Sequence, residues 1–409
     1  MRINYTTGYA GTGKSTKLIE LCEKLPLKTT IVVAPTHKAL ARIQDSLPDG
    51  MECRTIHSML GWIPSINDKA ETVNQIDTTI KLSRELYEYT DIVIDEAGMM
   101  SEDMLFELTS RIEEAQDYAN TKDEQDITIH CFLDPYQLLP VRGVQIQTDP
   151  DTTTNLTTQY RAESPDVVAL YTKFVHYLQG TNKKDLSTPY SENVKKFDIK
   201  EFRRGDRLLA YTNEAVGRWN GVIAQHLGIQ GTGPESYVGQ EVQLGNMLDT
   251  VLVTDIIELN PKNIFEVDKL IAWYLDGTLK LQNNQINRNF LEPSLFQLII
   301  NKNINFIQDI RGHIYPVIIG IDYAKKIIQE TKEMAIKDRK EFKNVYALNR
   351  AFIMDYNFAT TVHKAQGSEF DRVFIDKLDI QRSINNGYYS TYARLMYVSL
   401  SRAKKTIFI

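Results

Sequence analysis

The chain has 409 residues, too many for one ordinary domain and enough, at roughly 100–200 residues per domain, for two to four. Hydrophobic residues make up 42% and charged residues 24%, which excludes a disordered chain, while three scattered cysteines (Cys22, Cys53, Cys131) exclude a disulfide scaffold and a cysteine zinc site. With 47 basic against 53 acidic side chains, a formal charge of −6, bulk charge does not announce a nucleic-acid binder, and any such contact has to come from a local surface.

In chain order, the first 150 residues alternate short β-branched runs with helical patterns, as a parallel sheet with crossover helices does. Residues 2–6 read as a strand, followed by a glycine loop and an amphipathic helix with Leu18, Ile19, Cys22 and Leu25 on its apolar face. A strand at 30–34 and a helix at 37–46 come next, then buried strands at 91–95 and 127–133. Between these, 61–89 breaks the rhythm as a small insertion, and the polar stretch 116–126 reads as a solvated loop. A second α/β pattern starts near Asn155, with a strand at 207–212 and a capped helix at 213–227 carrying Val216, Trp219, Val222 and Ile223 on one side. From 232 to 345, alternating segments such as 241–244 and 250–257 predict antiparallel β-structure, closed by a charged helix at 323–343. The α/β pattern resumes with a strand at 370–375, a helix at 389–402 and a strand at 406–409. The expected organisation is α/β: a first core at 1–152 with an insertion at 61–90, a second core at 153–231 and 346–409, and an inserted β-rich domain at 232–345.

The first chemistry-bearing motif is Gly8-Tyr9-Ala10-Gly11-Thr12-Gly13-Lys14-Ser15, a GxxxxGK[ST] run after a strand and before a helix. Its glycines let backbone N–H groups wrap phosphates, the helix N-terminus adds positive potential, Lys14 reaches the terminal phosphates and the Ser15 hydroxyl ligates Mg²⁺. Asp95-Glu96 ends the apolar run Ile92-Val93-Ile94 as a Walker B pair does: Asp95 holds Mg²⁺ through water and Glu96 polarises the attacking water.

Further motifs follow in order: Ala34-Pro35-Thr36-His37-Lys38-Ala39, Thr55-Ile56-His57-Ser58, Asp134-Pro135-Tyr136-Gln137-Leu138-Leu139-Pro140-Val141, Leu156-Thr157-Thr158-Gln159-Tyr160-Arg161, residues 359–370 (ATTVHKAQGSEF) and Tyr397-Val398-Ser399-Leu400-Ser401-Arg402-Ala403. They resemble motifs Ia, Ib, III, IV, V and VI of superfamily-one helicases, in particular the RecD-like and Dda-like branch. Leu133 and Leu139 depart from the family pattern in motif III, where glycine and proline are usual, and affect turn geometry more than chemistry. Only seven residues precede Gly8, so an upstream glutamine that reads adenine is not expected, and the base is expected to rest on Tyr160.

The resemblance implies two RecA-like cores with ATP and Mg²⁺ in the cleft between them, and an SH3-like insertion in the second. It implies that Lys14, Glu96, Gln137, Arg161 and Arg402 are catalytic, with Gln137 sensing the γ-phosphate and the two arginines acting as fingers. Gly8, Tyr9, Ala10, Gly11, Thr12, Gly13, Lys14, Ser15, Thr16, Tyr160, Gly367 and Glu369 would hold the nucleotide, and Ser15 and Asp95 the metal. Pro35, Thr36, His37, Lys38, Thr55 and His57 in the first core, and Thr212, Asn213, Thr361, His363 and Lys364 in the second, would form the DNA track. Hydroxyls, imidazoles and loop N–H groups suit phosphates, and aromatic faces stack bases. His130, His176, His226 and His313 show no metal spacing and read as structural. Trp62, Ile63 and Pro64 suit a strand-separating pin and a buried staple equally. Trp273 and Tyr274 read as core of the β domain.

The function so implied is an ATP-dependent DNA helicase travelling 5′→3′ on single strands, in replication, recombination or repair. Single-stranded DNA, DNA forks, a single-stranded-DNA-binding protein and replication proteins are the implied partners. A monomer in a bacterial or phage-infected cytoplasm, with no membrane contact, is expected, since no apolar run nears the roughly 20 residues that cross a bilayer. Two other readings stand beside it: an RNA helicase of the same superfamily, and a nucleotide-switch module that hydrolyses ATP without unwinding.

Overall fold

The computed structural model describes residues 1–66, 72–76, 86, 88–119, 127–140, 144–160, 164–181, 186–229, 234–244, 251–257, 304–309, 314–319, 321–337, 352–385 and 389–409. Arg161, Trp273, Tyr274 and His313 lie outside the described residues.

The chain opens with β1 (Arg2–Gly8), α1 (Lys14–Cys22), β2 (Thr30–Ala34), α2 (His37–Gln44), β3 (Glu52–Thr55), α3 (Ile56–Met59), β4 (Trp62–Ile66), β5 (Thr72–Ile76), β6 (Asp91–Ile94), α4 (Glu102–Ala119), β7 (Thr128–Leu133) and β8 (Thr152–Leu156). Six of these strands make a sheet in the order β3-β2-β6-β7-β1-β8, paired in parallel. The continuous apolar run of β2 follows from helices on both faces. Ile31 and Val33 join Ile92, Ile94, Ile129, Cys131 and the α4 residues Leu105, Leu108 and Ile112 on one face. Val32, Val93 and Phe132 meet Leu18 and Cys22 of α1 and Ile43 of α2 on the other.

The strand β8 carries the first sheet past the boundary expected at 152, pairing Asn4 with Thr152 through to Gly8 with Leu156. Its Thr-Thr-Thr-Asn-Leu sequence is an exposed edge, without the apolar alternation that marks a half-buried strand. The helix α4 runs to Ala119, so the start of the polar stretch read as a loop is helical. At the expected insertion, β4 and β5 pair as a separate two-stranded sheet.

The chain continues with α5 (Pro165–Leu178), β9 (Val194–Lys195), β10 (Arg207–Ala210), α6 (Asn213–His226), β11 (Glu241–Leu244), β12 (Val251–Ile257), β13 (Ile304–Asp309), β14 (Ile314–Ile319), α7 (Ile321–Lys337), β15 (Phe352–Tyr356), β16 (Ala359–Thr361), β17 (Phe370–Ile375), α8 (Lys377–Asn385), α9 (Tyr389–Leu400) and β18 (Ala403–Phe408). A second sheet has the order β16-β10-β17-β18-β9. Its core joins Leu209, Val373, Ile375 and Ile407 to Val167, Leu170 and Phe174 of α5 and Tyr392, Met396 and Tyr397 of α9. Ala10 and Leu138 of the first core belong to the same cluster.

The β-rich insertion is a closed barrel, β11-β12-β13-β14-β15. Val242, Leu244, Val253, Ile307, Val317 and Met354 fill it, and Tyr237 stacks on Tyr356 at 4.4 Å. Compactness divides the chain into Met1–Pro64, Asn74–Thr212 and Thr360–Ile409, which hold both parallel sheets, and Ser65–Val73 with Asn213–Ala359, which hold the barrel. The helix α6, read as second core with a boundary at 231, therefore groups with the barrel; its Ala224 sits in the barrel cluster. Among the described residues no helix is long and apolar enough to cross a membrane.

Candidate active site

In a parallel α/β sheet, ligands gather outside the carboxyl ends of the strands. Here β1 runs into Gly8, β6 into Asp95 and Glu96, β7 into Asp134, and β8 into the segment holding Gln159 and Tyr160. Gly11 and Gly13 take φ 81° and 84°, the left-handed region that suits glycine. No side chain caps α1 at Gly13, so its first-turn N–H groups are available to an anion. A Cβ on Gly8 would collide with the Thr12 hydroxyl and stand 2.9 Å from the Leu156 carbonyl oxygen. Lys14 folds back on its own loop: Nζ donates to the Gly8 and Tyr9 carbonyls at 2.6 and 3.1 Å and lies 3.9 Å from Asp134 Oδ2.

Behind the loop, Asp95 and Glu96 are buried, and Glu96 is left-handed at φ 51°, a conformation that costs a non-glycine residue energy and concentrates at functional sites. Burial pushes the Asp95 carboxyl up to about 6, with the neighbouring Glu96 adding to it and Arg42 and Lys14 opposing. Burial acts on Glu96 in the same sense, but Arg42, Lys14, Arg402 and a hydrogen bond from Gln137 together hold it below its ordinary range. Among the described residues, Asp95 Oδ2, Glu96 Oε2 and Gln137 Oε1 are buried and make no hydrogen bond of normal geometry, although Arg42 Nη2 stands 3.5 Å from Asp95 Oδ2. These oxygens, with the uncapped loop and Ser15, fit a nucleotide and a divalent cation: an N–H-lined anion cradle beside ligandless acceptors.

The cleft is lined by Ala10, Gly11, Gly13, Lys14, Ser15, Thr16, Arg42, Glu96, Gln137, Tyr160 and Arg402, so both cores contribute. Arg402 is 2% exposed; its Nε donates to the Val398 carbonyl at 3.1 Å and its Nη1 to the Ser368 carbonyl at 3.3 Å. The backbone N–H of Tyr160 donates to the Gly11 carbonyl at 2.8 Å, and its ring lies over Gly13 with 75% of the residue exposed. Gly367 (φ 75°) and Glu369, expected to hold the nucleotide, are not among the lining residues; Glu369 pairs with Lys404 at 3.5 Å and acts electrostatically on Arg42.

Two residues here, Arg42 and Arg394, were missed in the sequence, and a third, Tyr397, was read as a motif member without a role. Arg42 of α2 donates to Ser15 Oγ. Arg394 of α9 donates through Nη1 to the Pro135 and Gln137 carbonyls at 2.7 and 2.6 Å. Tyr397 of α9 joins Ala10 and Asp134 through its hydroxyl. Their available signal was position, since each shares a helix with a motif already identified.

The candidates for the DNA track sit at strand ends too. Thr36 caps α2, accepting from Ala39 N at 3.1 Å, and Thr55 caps α3, accepting from Ser58 N at 3.2 Å. Thr361 accepts from Lys364 N at 3.3 Å. A capping hydroxyl that accepts keeps its own proton for a phosphate oxygen. Thr212 differs: its hydroxyl proton goes to Asp379, whose carboxylate also accepts from the Tyr211 and Thr212 N–H groups. His363 is turned toward Tyr211 with ring centroids 6.3 Å apart, and burial holds its pKa low. Lys364 is exposed, and Asn213 opens α6. The His57 ring meets Trp62 edge-on at 5.6 Å, and Trp62 packs against the first core as a staple does. Pro35, His37 and Lys38 follow β2 at the head of α2.

The fold is α/β with two RecA-like cores, and the cleft that both line carries a GxxxxGK[ST] loop. Residues 1–120 match the family model of the AAA domain, and residues 356–409 that of the UvrD-like helicase C-terminal domain. The chain is similar to solved Pif1 helicases: a pair at forked double-stranded DNA (17% identity, all of this chain and 87% of that one, TM-score 0.54), the Bacteroides enzyme bound to single-stranded DNA (17%, 100% and 88%, 0.52) and the Candida albicans enzyme (17%, 100% and 90%, 0.52). An uncharacterized protein of Acanthamoeba polyphaga mimivirus is 30% identical over 161 residues, 35% of this chain and 30% of that relative, so the match spans under a third of its length.

Proposed function

We propose that the chain is an ATP-dependent DNA helicase that moves 5′→3′ along single-stranded DNA and separates duplexes at forks, as a monomer of the RecD-like and Dda-like branch. The observation that carries this reading is the convergence of Lys14, Glu96 and Gln137 from one core and Arg402 from the other on a single cleft. A cleft between two cores converts the presence of a γ-phosphate into closure, and its loss into opening.

In this reading the α1 N-terminus and Lys14 bind the phosphates, with Lys14 exchanging its Gly8 and Tyr9 carbonyl partners for phosphate oxygens. Glu96, ionised beside Arg42 and hydrogen-bonded to Gln137, takes the proton of the attacking water. Gln137 orients that water, and its carbonyl, gripped by Arg394, reports the state of the site to α9. Arg402 and Arg161 place guanidiniums against the charge that develops on the transferring phosphoryl group. Ser15 and Asp95 would hold Mg²⁺, which would supply charge stabilisation to the phosphate oxygens. Tyr160 offers its exposed face to the base.

The capping threonines Thr36, Thr55 and Thr361 lie at the carboxyl ends of β2, β3 and β16 and supply hydroxyl donors for a phosphate backbone. Support for DNA as the polymer comes from the Pif1 structures, whose DNA-bound forms share this fold. We propose roles in replication, recombination or repair, with single-stranded-DNA-binding and replication proteins as partners, in a bacterial or phage-infected cytoplasm. ATPase assays with and without single-stranded DNA or RNA test the reading. Stimulation by DNA of tenfold or more supports it; stimulation by RNA alone, or by neither, contradicts it.

A further inference from the structure

The oxygens assigned to the metal are spanned by a side chain. Arg42 Nη2 donates to Ser15 Oγ at 2.7 Å and stands 3.5 Å from Asp95 Oδ2 and 3.6 Å from Glu96 Oε1. One guanidinium nitrogen thus touches a P-loop hydroxyl and both carboxylates that follow β6. Asp95 and Glu96 are 2% and 6% exposed; among the described residues Glu96 Oε2 makes no hydrogen bond, and Asp95 Oδ2 makes none beyond its 3.5 Å approach to Arg42. Adjacent buried carboxylates repel and lose hydration unless a cation stands against them. Lys14 is turned to the carbonyls of its own loop and to Asp134, which leaves Arg42 in contact with the pair. The Arg42 side chain is 27% exposed and lines the cleft, so it has a path away from the carboxylates, while Ile43 beside it is anchored in the core.

We propose that Arg42 is a resident counter-cation: in the nucleotide-free protein it holds the place between Ser15 Oγ and the Asp95 and Glu96 carboxylates that a divalent cation takes, and metal loading requires the guanidinium to leave. The inference rests on the reading of Ser15 and Asp95 as the metal-holding pair. Two cations that close to the same oxygens repel each other strongly in a protein-like dielectric, so the guanidinium and the metal exclude one another. A bare divalent ion displaces the guanidinium from both carboxylates and leaves it only the weaker influence of Glu369. A metal–nucleotide complex brings phosphates that supply an anionic partner, and guanidinium forks suit phosphate oxygens. The exchange therefore makes the site selective for metal that arrives with nucleotide.

Mn²⁺ binding to the nucleotide-free protein, read from the electron paramagnetic resonance of free Mn²⁺ at pH 8, tests the exchange. Arg42→Met keeps the apolar stem without charge and is expected to bind one Mn²⁺ at least tenfold more tightly than wild type. Arg42→Lys, with a shorter reach for Ser15, is expected to fall between them. Adding Asp95→Asn to Arg42→Met is expected to remove the gain. Affinity in both Arg42 variants equal to or weaker than wild type overturns the inference. If Asp95→Asn leaves the tightened Mn²⁺ binding of Arg42→Met unchanged, the metal reading of Asp95 is what fails.

Discussion

The hydroxyl of Tyr397, on α9 of the second core, donates to Asp134 Oδ2 of the first core at 2.6 Å. The Tyr397 hydroxyl oxygen in turn accepts from the backbone N–H of Ala10 at 2.6 Å. Tyr397 is fully buried, with the Tyr171 and Tyr136 rings edge-on to it at 6.1 and 6.4 Å. One phenol therefore ties the phosphate loop and the end of β7 to the helix that also carries Arg394 and leads to Arg402. Burial and the Asp134 carboxylate hold the phenol protonated, so it remains a donor.

Tyr397→Phe keeps the ring and removes the bridge, leaving a buried N–H and a buried carboxylate oxygen each short of a partner. At about 1–3 kcal/mol per stranded group, a loss of about 2–6 kcal/mol in unfolding free energy is expected, measured by urea denaturation. A change below about 0.5 kcal/mol would mean that the two cores do not depend on this contact.

Replacing Lys14 by alanine removes the charge facing the phosphates and is expected to abolish turnover. Glu96→Gln is expected to bind nucleotide near wild-type affinity and lose hydrolysis by about 10²-fold or more, the scale of a general base. Single-turnover hydrolysis beside equilibrium nucleotide binding separates the two effects. Hydrolysis by Glu96→Gln at the wild-type rate removes Glu96 from the role of base.

Arg402 is buried and donates to Val398 and Ser368, so its loss has a structural part as well as a chemical one. Arg402→Lys keeps the charge but not the planar fork. Turnover is expected to fall about 10³–10⁵-fold, the range for an arginine finger, with single-stranded DNA affinity nearly unchanged. A loss of only a few-fold with the fold intact, judged by circular dichroism, would take Arg402 out of the transition state.

Asp95 connects function to stability. Its folded pKa, raised from 3.8 to about 6 chiefly by burial, lies above the unfolded value. The folded protein thus carries no penalty for this group below pH about 4 and the full penalty above pH about 6. Asp95→Asn is expected to raise the unfolding free energy of the nucleotide-free protein by about 1–3 kcal/mol at pH 8, with the gain fading as pH falls through 6. Denaturant melts across pH 5–8 read this directly, and a gain that grows toward acid pH contradicts the sign.

How much of this was legible in the sequence follows from distance along the chain. The phosphate loop and Asp95-Glu96 are contiguous motifs at the ends of strongly apolar strands, so both type and position could be read. The parallel core strands were legible for the same reason: Ile31, Val32 and Val33 are buried on both faces. The β8 edge was not, because its exposed threonines carry no apolar period. Arg42 lies 27 residues from Ser15, and Tyr397 lies 263 from Asp134, so only the fold brings those pairs together. The threonines were legible as motif members, but that Thr55 and Thr361 act as caps while Thr212 serves Asp379 depends on local geometry. The allegiance of α6 to the barrel is tertiary, since an amphipathic helix does not announce which core it covers.

The Tyr160 side chain is exposed. Its exposed ring over the left-handed Gly13 stacks a base without reading its edge. Tyr160→Ala is expected to weaken binding of all four nucleoside triphosphates by a common factor of about tenfold, measured by competition with a fluorescent nucleotide. Loss confined to ATP would place an edge-reading contact at this residue instead.

In the proposed function, the cleft between the two cores drives directional movement on DNA. Unwinding of duplexes carrying either a 5′ or a 3′ single-stranded tail, with ATP and Mg²⁺ and with the Glu96→Gln variant as control, tests it most directly. The account predicts strand separation from the 5′-tailed substrate, little from the 3′-tailed one, and none with Glu96→Gln. Unwinding from the 3′ tail alone would contradict the direction, and hydrolysis without separation of either substrate would contradict the claim itself.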